Sequence, residues 1–299
     1  MRAIHVALPT PFAADGRLLP GQLERHVGGL VAKGVAAFLP AAGTGEFHSL
    51  TAAEVADCVR AARQGAGDSA AIIAPVGFAL EETIERARSV IRAGADGLLL
   101  MPPIHPYVSD RGLETFLEAL HAAVNVPIMI YKKAAVPSNE LLARLISRGV
   151  LTGVKYAIND LSVVSSFIDG LGGRAAVHCG TGERYAPFFM MAGACGFSSG
   201  IINICPRLCL GMLQALRSGD AASALKVMRI VRPLEDLRAR DGDALSVGVL
   251  KTVLARQGLA FGRARPPLRD PTPEEEREIV AAAEPVLAAE QSAQPLIAA

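Results

Sequence analysis

The sequence lacks tryptophan, has only five cysteines among 299 residues, and carries almost no excess charge of either sign. An odd number of cysteines without C-x-x-C spacing argues against a disulfide framework and against the common zinc motifs. A formal net charge of +1 offers no basic surface for nucleic acid or for an anionic membrane. We therefore expect neither of these partners.

Long apolar runs are missing as well. No stretch approaches the ~18 residues that a membrane-spanning helix needs, and the N-terminal residues enter a strand-like pattern without the apolar region of a signal peptide. The hydrophobic content of 51% is sufficient for a sizeable core. These features predict a cytoplasmic globular protein with reduced cysteines.

Short apolar runs alternate with longer amphipathic stretches over the first 218 residues. Eight such strand–helix units are the number found in a (β/α)8 TIM barrel; the alternative, a doubly wound open sheet, normally carries a glycine-rich dinucleotide motif that is missing here. The predicted strands are 3–8, 36–40, 71–77, 97–101, 127–131, 152–156, 175–179 and 196–200. The predicted helices lie near 21–33, 51–65, 81–93, 111–123, 138–148, 160–169, 184–192 and 206–218.

After Gly219 the alternation stops, and three helix-like segments follow near 220–237, 243–257 and 273–289. We therefore predict an α/β fold in which a catalytic barrel over residues 1–218 is followed by a C-terminal helical domain over 219–299. The end of the chain, from about Ala288, is rich in alanine, glutamine and proline and is expected to fray.

Lys155 lies in the sixth predicted strand, where a lysine is costly to bury unless its charge is paired or its pKa falls. The chain has six lysines beside 24 arginines, and the other five occupy positions expected at the surface. A lysine with a lowered pKa is the nucleophile that forms Schiff bases with carbonyl substrates. The alternative is a structural lysine that is ion-paired with a carboxylate.

Barrel enzymes carry their chemistry at the carboxyl ends of the strands. The second strand is followed by Gly43 and Thr44, where small residues allow backbone N–H groups to approach a carboxylate or phosphate. The fifth strand ends at Tyr131, which is either a proton relay or a rim aromatic with a solvated hydroxyl. Ser199 in the eighth strand and the nearby Asn203 are candidate ligands for the rest of a substrate.

The segments Gly43-Thr44-Gly45-Glu46, Ile130-Tyr131 and Gly153-Val154-Lys155, in this order and spacing, resemble the dihydrodipicolinate synthase/N-acetylneuraminate lyase family of class I Schiff-base lyases. The resemblance runs from Ala7 to Leu268. It implies a barrel with C-terminal helices, usually assembled as a tetramer of two dimers.

The same resemblance implies a role for each matching residue. Lys155 would form the Schiff base and Tyr131 would relay protons. Gly43 and Thr44 would bind the substrate carboxylate, and Thr44 would also orient Tyr131. Schiff-base chemistry of this kind needs no cofactor.

Several positions depart from the synthase pattern. Gly43 replaces the first of two adjacent threonines, Pro102-Pro103-Ile104-His105 replaces adjacent tyrosines after the fourth strand, and Lys132-Lys133 occupies the loop where an arginine is expected. Residues 43–47, Asp160, and Ser198-Ser199 with Asn203 are instead similar to the 5-dehydro-4-deoxyglucarate dehydratase branch. That branch dehydrates and decarboxylates an acidic keto-sugar to 2,5-dioxopentanoate.

The match to the dehydratase branch is itself incomplete. Members of that branch typically have Asn-Arg after the tyrosine, where this chain has Lys132-Lys133. They typically have an acidic residue after the lysine, where this chain has Tyr156. The two lysines are expected either to attract a distal carboxylate or to form a solvated positive rim.

These observations predict a Schiff-base lyase acting on a 2-keto acid, most consistent with dehydration of a 2-keto-3-deoxy sugar acid. A pyruvate-dependent aldolase or a synthase-type condensation is the alternative within the same chemistry. Alternatives of other classes are a non-catalytic keto-acid-binding barrel and a metal-dependent barrel hydrolase. The six histidines form no HxH or HxxxH pair, so no metal is expected. The expected partners are the small substrate and copies of the same chain, as a dimer or tetramer.

Overall fold

The computed structural model describes residues 3–293. Eight parallel strands each pair with the next, and β8 pairs with β1, so the sheet closes on itself. The strands are β1 Ile4–Ala7, β2 Ala37–Leu39, β3 Ala71–Val76, β4 Gly97–Leu100, β5 Ile128–Lys132, β6 Gly153–Tyr156, β7 Ala176–Cys179 and β8 Gly196–Ser199. The predicted barrel is confirmed, and the open doubly wound sheet is wrong.

Helices follow the strands around the barrel and continue after it. They are α1 Pro20–Val31, α2 Ala52–Ala66, α3 Leu80–Arg92, α4 Asp110–Ala123, α5 Asn139–Ser147, α6 Leu161–Leu171, α7 Ala186–Met191, α8 Pro206–Arg217, α9 Ala221–Asp243, α10 Ser246–Arg256 and α11 Pro273–Ser292. Because α11 runs to Ser292, the expected fraying from about Ala288 is wrong up to that residue. Residues 294–299 lie outside the described part of the chain.

The helix that follows the second strand begins at a defined residue. The Thr51 hydroxyl accepts a hydrogen bond from the Glu54 N–H at 3.2 Å, and the Glu54 carboxylate accepts one from the Thr51 N–H at 3.0 Å. This reciprocal capping satisfies two N–H groups that a helix start otherwise leaves unpaired. The loop that follows β2 therefore ends at Thr51, where α2 begins.

The C-terminal helices pack on the barrel instead of standing apart from it. Helix α9 lies against α8, and both α10 and α11 contact α9. The backbone of α9 leaves helical geometry at 240–242, and Asp241 and Asp243 have φ angles of 52° and 71°. Residues from this turn line the same cavity as the strand ends. The division of the chain at residue 218 stays a prediction, as does the homo-oligomer.

None of the helices within residues 3–293 is long and apolar enough to cross a membrane. The core that these helices share with the barrel is built mainly from alanine, valine, leucine and isoleucine. All five cysteines are free thiols.

Two glycines of the loop after β2 differ in what surrounds them. A Cβ atom on Gly45 would lie 2.6 Å from the Ala41 Cα, whereas a Cβ on Gly43 would meet nothing within 4 Å. We expect Gly45→Ala to lower the free energy of unfolding by about 1–3 kcal/mol, and Gly43→Ala to change it by at most about 1 kcal/mol. Urea denaturation of both variants tests this. Equal losses of stability would contradict it.

Candidate active site

A cavity of about 730 Å³ lies at the carboxyl ends of the strands. This volume is in the range of small-molecule sites. One part of its wall comes from the barrel and includes Gly43, Thr44, Tyr131 and Lys155. The opposite part comes from α9 and the residues after it. The structure therefore brings Gly43 and Thr44, from the loop after β2, together with Tyr131 of β5 and Lys155 of β6. These are the four residues for which a role in catalysis or in carboxylate binding was predicted.

Lys155 is 6% exposed and is paired in register with Tyr131 on the neighbouring strand. Its Nζ atom lies 4.2 Å from the centre of the Tyr131 ring. Among residues 3–293, no carboxylate lies within ion-pairing distance of this amine, so the alternative of a structural ion-paired lysine has no support. Burial, and then the positive charge of Lys133, lower the pKa of Lys155 to about 8.

Tyr131 is a protonated phenol at neutral pH. Burial, followed by the nearby negative charge of Asp243, raises its pKa to about 12. Such a group is able to donate a proton to a reacting atom and to recover it. The predicted contact with Thr44 is not observed: within the described residues, no hydrogen bond joins the Thr44 hydroxyl to Tyr131. Thr44 is nevertheless part of the same cavity wall.

The loop after β2 presents backbone donors to the cavity. No hydrogen bond within residues 3–293 uses the N–H groups of Gly43 and Thr44. The loop itself is fixed, because the Thr10 hydroxyl donates to the Gly45 carbonyl at 2.6 Å and the Glu46 N–H donates to the Gly43 carbonyl at 3.1 Å. Adjacent unpaired amides in a fixed loop are suited to hold a carboxylate.

A buried ion pair anchors this loop to the C-terminal helices. The Glu46 carboxylate lies 2.7 Å from Lys251 Nζ and accepts a hydrogen bond from the Arg265 N–H at 2.7 Å. Both side chains of the pair are almost completely buried. The expectation that Lys251 lies at the surface of an amphipathic helix is therefore wrong, since its charge is used inside the protein.

The two lysines after Tyr131 have different environments. Lys132 is buried, and its Nζ donates hydrogen bonds to the carbonyls of Ala134 and Pro137 at 3.1 and 2.5 Å, so the predicted surface position is wrong. Lys133 lines the cavity and lies 3.3 Å from a carboxylate oxygen of Asp243. Of the two, only Lys133 is placed to meet a substrate.

The two serines of β8 face opposite sides of the sheet, as alternation along a strand requires. The Ser199 hydroxyl donates to Glu183 and accepts from the Ile202 N–H at 2.9 Å, in the layer between barrel and helices. The Ser198 hydroxyl is buried at the cavity wall and has no hydrogen-bond partner among residues 3–293. Both serines contribute to the cavity wall, but the Ser199 hydroxyl is already engaged, so Ser198 is better placed than the predicted Ser199 to contact a substrate.

Asn203 lies outside the cavity. Its side-chain amide donates to the carbonyls of Ala7 and Gly200 at 2.9 and 2.8 Å, and its oxygen lies 2.9 Å from Nε2 of His26. With donors and acceptor already engaged, the contacts of Asn203 give no support to the predicted role in substrate binding. They hold the end of β8 against β1.

Sequence reasoning missed the contribution of α9 to the cavity. Glu235 and Arg238 line it, although the segment was assigned only to a helical extension. A signal was present: both residues continue the spacing of the buried Ala224, Met228 and Val231. Charged residues at positions of an apolar helix face are rarely buried without a partner.

No three histidine, cysteine, aspartate or glutamate side chains in the described part of the chain are grouped so that they could hold a metal ion. His5 and His178 stack inside the barrel with ring centres 3.9 Å apart. Burial, then the neighbouring His178, lowers the pKa of His5 well below its usual range.

A cavity at the carboxyl ends of the strands, lined by a lysine that has no ion-pair partner among residues 3–293, is the arrangement of a (β/α)8-barrel enzyme. The model of the dihydrodipicolinate synthetase family matches residues 1–285, and the chain belongs to this family. The chain is accordingly an enzyme, a lyase. This confirms the predicted resemblance.

Relatives and solved structures agree with this assignment. The chain is 34% identical over 271 residues to a probable 5-dehydro-4-deoxyglucarate dehydratase of Rhizobium rhizogenes, covering 89% of each chain. It is 31% identical over 280 residues to one from Streptomyces coelicolor, covering 91% of this chain and 88% of the relative. The crystal structure of dihydrodipicolinate synthase from Bacillus clausii superposes with a TM-score of 0.90 at 30% identity, over 94% of this chain and 96% of that one.

The lowered pKa of Lys155 leads to a pH dependence. A neutral amine attacks the keto group of pyruvate, so the rate of adduct formation should rise about tenfold per pH unit at low pH and level off above about 8. Samples quenched with borohydride and weighed by intact-protein mass spectrometry give this rate. An ordinary surface lysine would show a rate still rising at pH 10, and that result would contradict the prediction.

Proposed function

We propose that the chain is a Schiff-base hydro-lyase that dehydrates a 2-keto-3-deoxy sugar acid, with 5-dehydro-4-deoxyglucarate as the candidate substrate. The observation that carries the proposal is Lys155, an amine in the cavity wall with a lowered pKa and with no carboxylate partner among residues 3–293. The names of the relatives support the choice of substrate. The structural match to dihydrodipicolinate synthase supports the fold and the family.

The chemistry starts with attack of the neutral Lys155 nitrogen on C2 of the substrate. The C2 oxygen leaves as water, and the protonated imine that remains is an electron sink. It acidifies the C3 proton, and removal of that proton allows the hydroxyl on C4 to leave as a second water. Hydrolysis of the imine then returns the amine.

Other residues of the cavity have roles in this scheme. Tyr131, whose phenol stays protonated at neutral pH, carries protons to and from the reacting atoms. The N–H groups of Gly43 and Thr44 hold the C1 carboxylate beside the imine. This arrangement fixes C2 close to the lysine, which reduces the entropy that the reaction must lose.

Two alternatives differ in what the imine does next. A retro-aldol reaction breaks the bond between C3 and C4 and releases pyruvate, whereas dehydration leaves the carbon chain joined there. The synthase-type condensation is disfavoured by Lys132-Lys133 and Pro102-Pro103 at positions where the synthase pattern differs. The non-catalytic binding barrel is set aside, because the chain is an enzyme of this family.

Incubation with 5-dehydro-4-deoxyglucarate tests the proposed reaction directly. We expect products that have lost water and retain the C3–C4 bond, with no pyruvate, as measured by NMR of the reaction mixture. Borohydride should trap a covalent adduct on the wild type and none on Lys155→Ala, because only the lysine supplies the amine. Release of pyruvate would instead favour the aldolase. A trapped adduct on folded Lys155→Ala would overturn the assignment of the nucleophile.

Tyr131→Phe tests the proton relay. The variant keeps the ring beside Lys155 but loses the phenol, so we expect kcat to fall by about 10²–10⁴-fold, the usual contribution of a positioned acid–base group. Steady-state kinetics measure this, and circular dichroism checks that the barrel is folded. Turnover equal to the wild type in a folded variant would show that Tyr131 is not the relay.

A further inference from the structure

Arg238 extends from α9 into the wall of the cavity and is held there by three hydrogen bonds. Its Nε donates to the Ser246 carbonyl at 3.1 Å, Nη2 donates to the Ser246 hydroxyl at 3.1 Å, and Nη1 donates to Glu235 at 2.5 Å. The side chain is 11% exposed. The guanidinium group is thus in a fixed orientation before any substrate arrives.

Two glycines at the carboxyl ends of β7 and β8 make room for this arginine and its partner. A Cβ on Gly200 would lie 2.5 Å from Nη2 and 2.9 Å from Nη1 of Arg238. A Cβ on Gly182 would lie 2.7 Å from Glu235 Oε2. The guanidinium therefore lies against bare backbone directly after β8, in the same ring of strand ends as Lys155.

The hydrogen bonds of Arg238 leave two donors available. A guanidinium has five N–H groups, and within residues 3–293 three of them are used, which leaves one on each terminal nitrogen. A free N–H on each terminal nitrogen is suited to the two oxygens of a carboxylate.

The charge of the cavity wall also favours an anion. Its lysines and arginines outnumber its carboxylates by four to two; they are Lys133, Lys155, Arg184 and Arg238, against Glu235 and Asp243. Two further carboxyl groups contact lining residues: Asp236 pairs with Arg184, and Glu183 accepts a hydrogen bond from Ser199. Burial, then the charge of Glu235, raises the pKa of Glu183.

The other two cations of the rim are less suited to hold a carboxylate. Lys133 is 53% exposed and pairs with Asp243, and Arg184 is 29% exposed and pairs with Asp236. Exposed ion pairs of this kind are weak and screened by salt. Arg238 alone combines burial, a fixed plane and a position next to the strand ends.

We propose that Arg238 binds a second carboxylate at the far end of the substrate, so that the enzyme selects 2-keto acids with a carboxylate at both ends of the chain. This inference rests on the proposed function, in which Gly43 and Thr44 hold the first carboxylate and Lys155 holds C2. Ser246 and Glu235 are positioning residues for the guanidinium.

Two six-carbon keto acids test the proposal. 2-Oxoadipate and 2-oxohexanoate differ only in the terminal carboxylate, and borohydride trapping gives the half-saturating concentration of each. For the wild type we expect 2-oxoadipate to saturate at a concentration at least about tenfold lower. In Arg238→Gln the ratio of the two half-saturating concentrations, 2-oxohexanoate over 2-oxoadipate, should fall by about 10–100-fold. Both keto acids react with Lys155, so a change in the reactivity of this lysine affects both half-saturating concentrations and cancels in their ratio.

Three further variants distinguish the loss of carboxylate binding from a general disturbance of the structure around Arg238. Arg238→Gln leaves Glu235 buried without its partner, so the double variant Glu235→Gln/Arg238→Gln provides a neutral version of the same wall. Gly200→Ala should displace the guanidinium and reduce the ratio with the arginine still present. Arg232→Gln removes the same charge from the exposed side of α9 and should leave the ratio unchanged.

The outcomes separate this inference from the proposed function. A wild type that traps both keto acids at equal concentrations, or folded Arg238 variants that keep the wild-type ratio, would overturn the role of Arg238 while leaving the Schiff base intact. A folded wild type that traps neither of them, nor pyruvate, would overturn the Schiff-base chemistry and this inference with it.

Discussion

Closure of the parallel sheet removes the amine of Lys155 from water, and no carboxylate in the described part of the chain, residues 3–293, lies close enough to pair with it. A fall in its pKa from 10.5 to about 8 makes the charged form about 3 kcal/mol less favourable relative to the neutral form. At an open sheet edge water would solvate the charged amine, and a neighbouring carboxylate would stabilise its charge. Either would raise the pKa of Lys155 again. The lowered pKa of Lys155 is therefore a consequence of the barrel itself, because burial is the main cause of the shift.

The C-terminal helices complete the site that the barrel begins. Glu46 and Lys251 join the loop after β2 to α10, and Glu235 with Arg238 brings a cationic group from α9 to the end of β8. Buried ion pairs contribute little to stability because desolvation offsets their attraction, but they fix the geometry of the groups that they join. In this protein they hold the loop after β2 and Arg238, and both the loop and the arginine contribute to the wall of the cavity that Lys155 lines.

The fold and the centre of the site were predictable because both depend on local patterns. All eight strands lie within one or two residues of their predicted bounds, since each is a short apolar run between amphipathic helices. The environments of Lys132, Lys251 and Arg238 were not predictable in this way. Each of these charged groups is buried against a hydrogen-bond or ion-pair partner that is close in space. The hydrophobic periodicity of a single segment does not indicate which partner that is.

By itself, the sequence determined the alternation of strands and helices, the start of α2, and a lysine with a tyrosine at the ends of neighbouring strands. Tertiary structure decided which hydroxyl is available at the cavity wall, because Ser199 is hydrogen-bonded to Glu183 while Ser198 has no partner among residues 3–293. It also decided which cations reach the cavity. Periodicity specifies the face on which a side chain lies, whereas its partners depend on distances between segments that only the folded chain brings together.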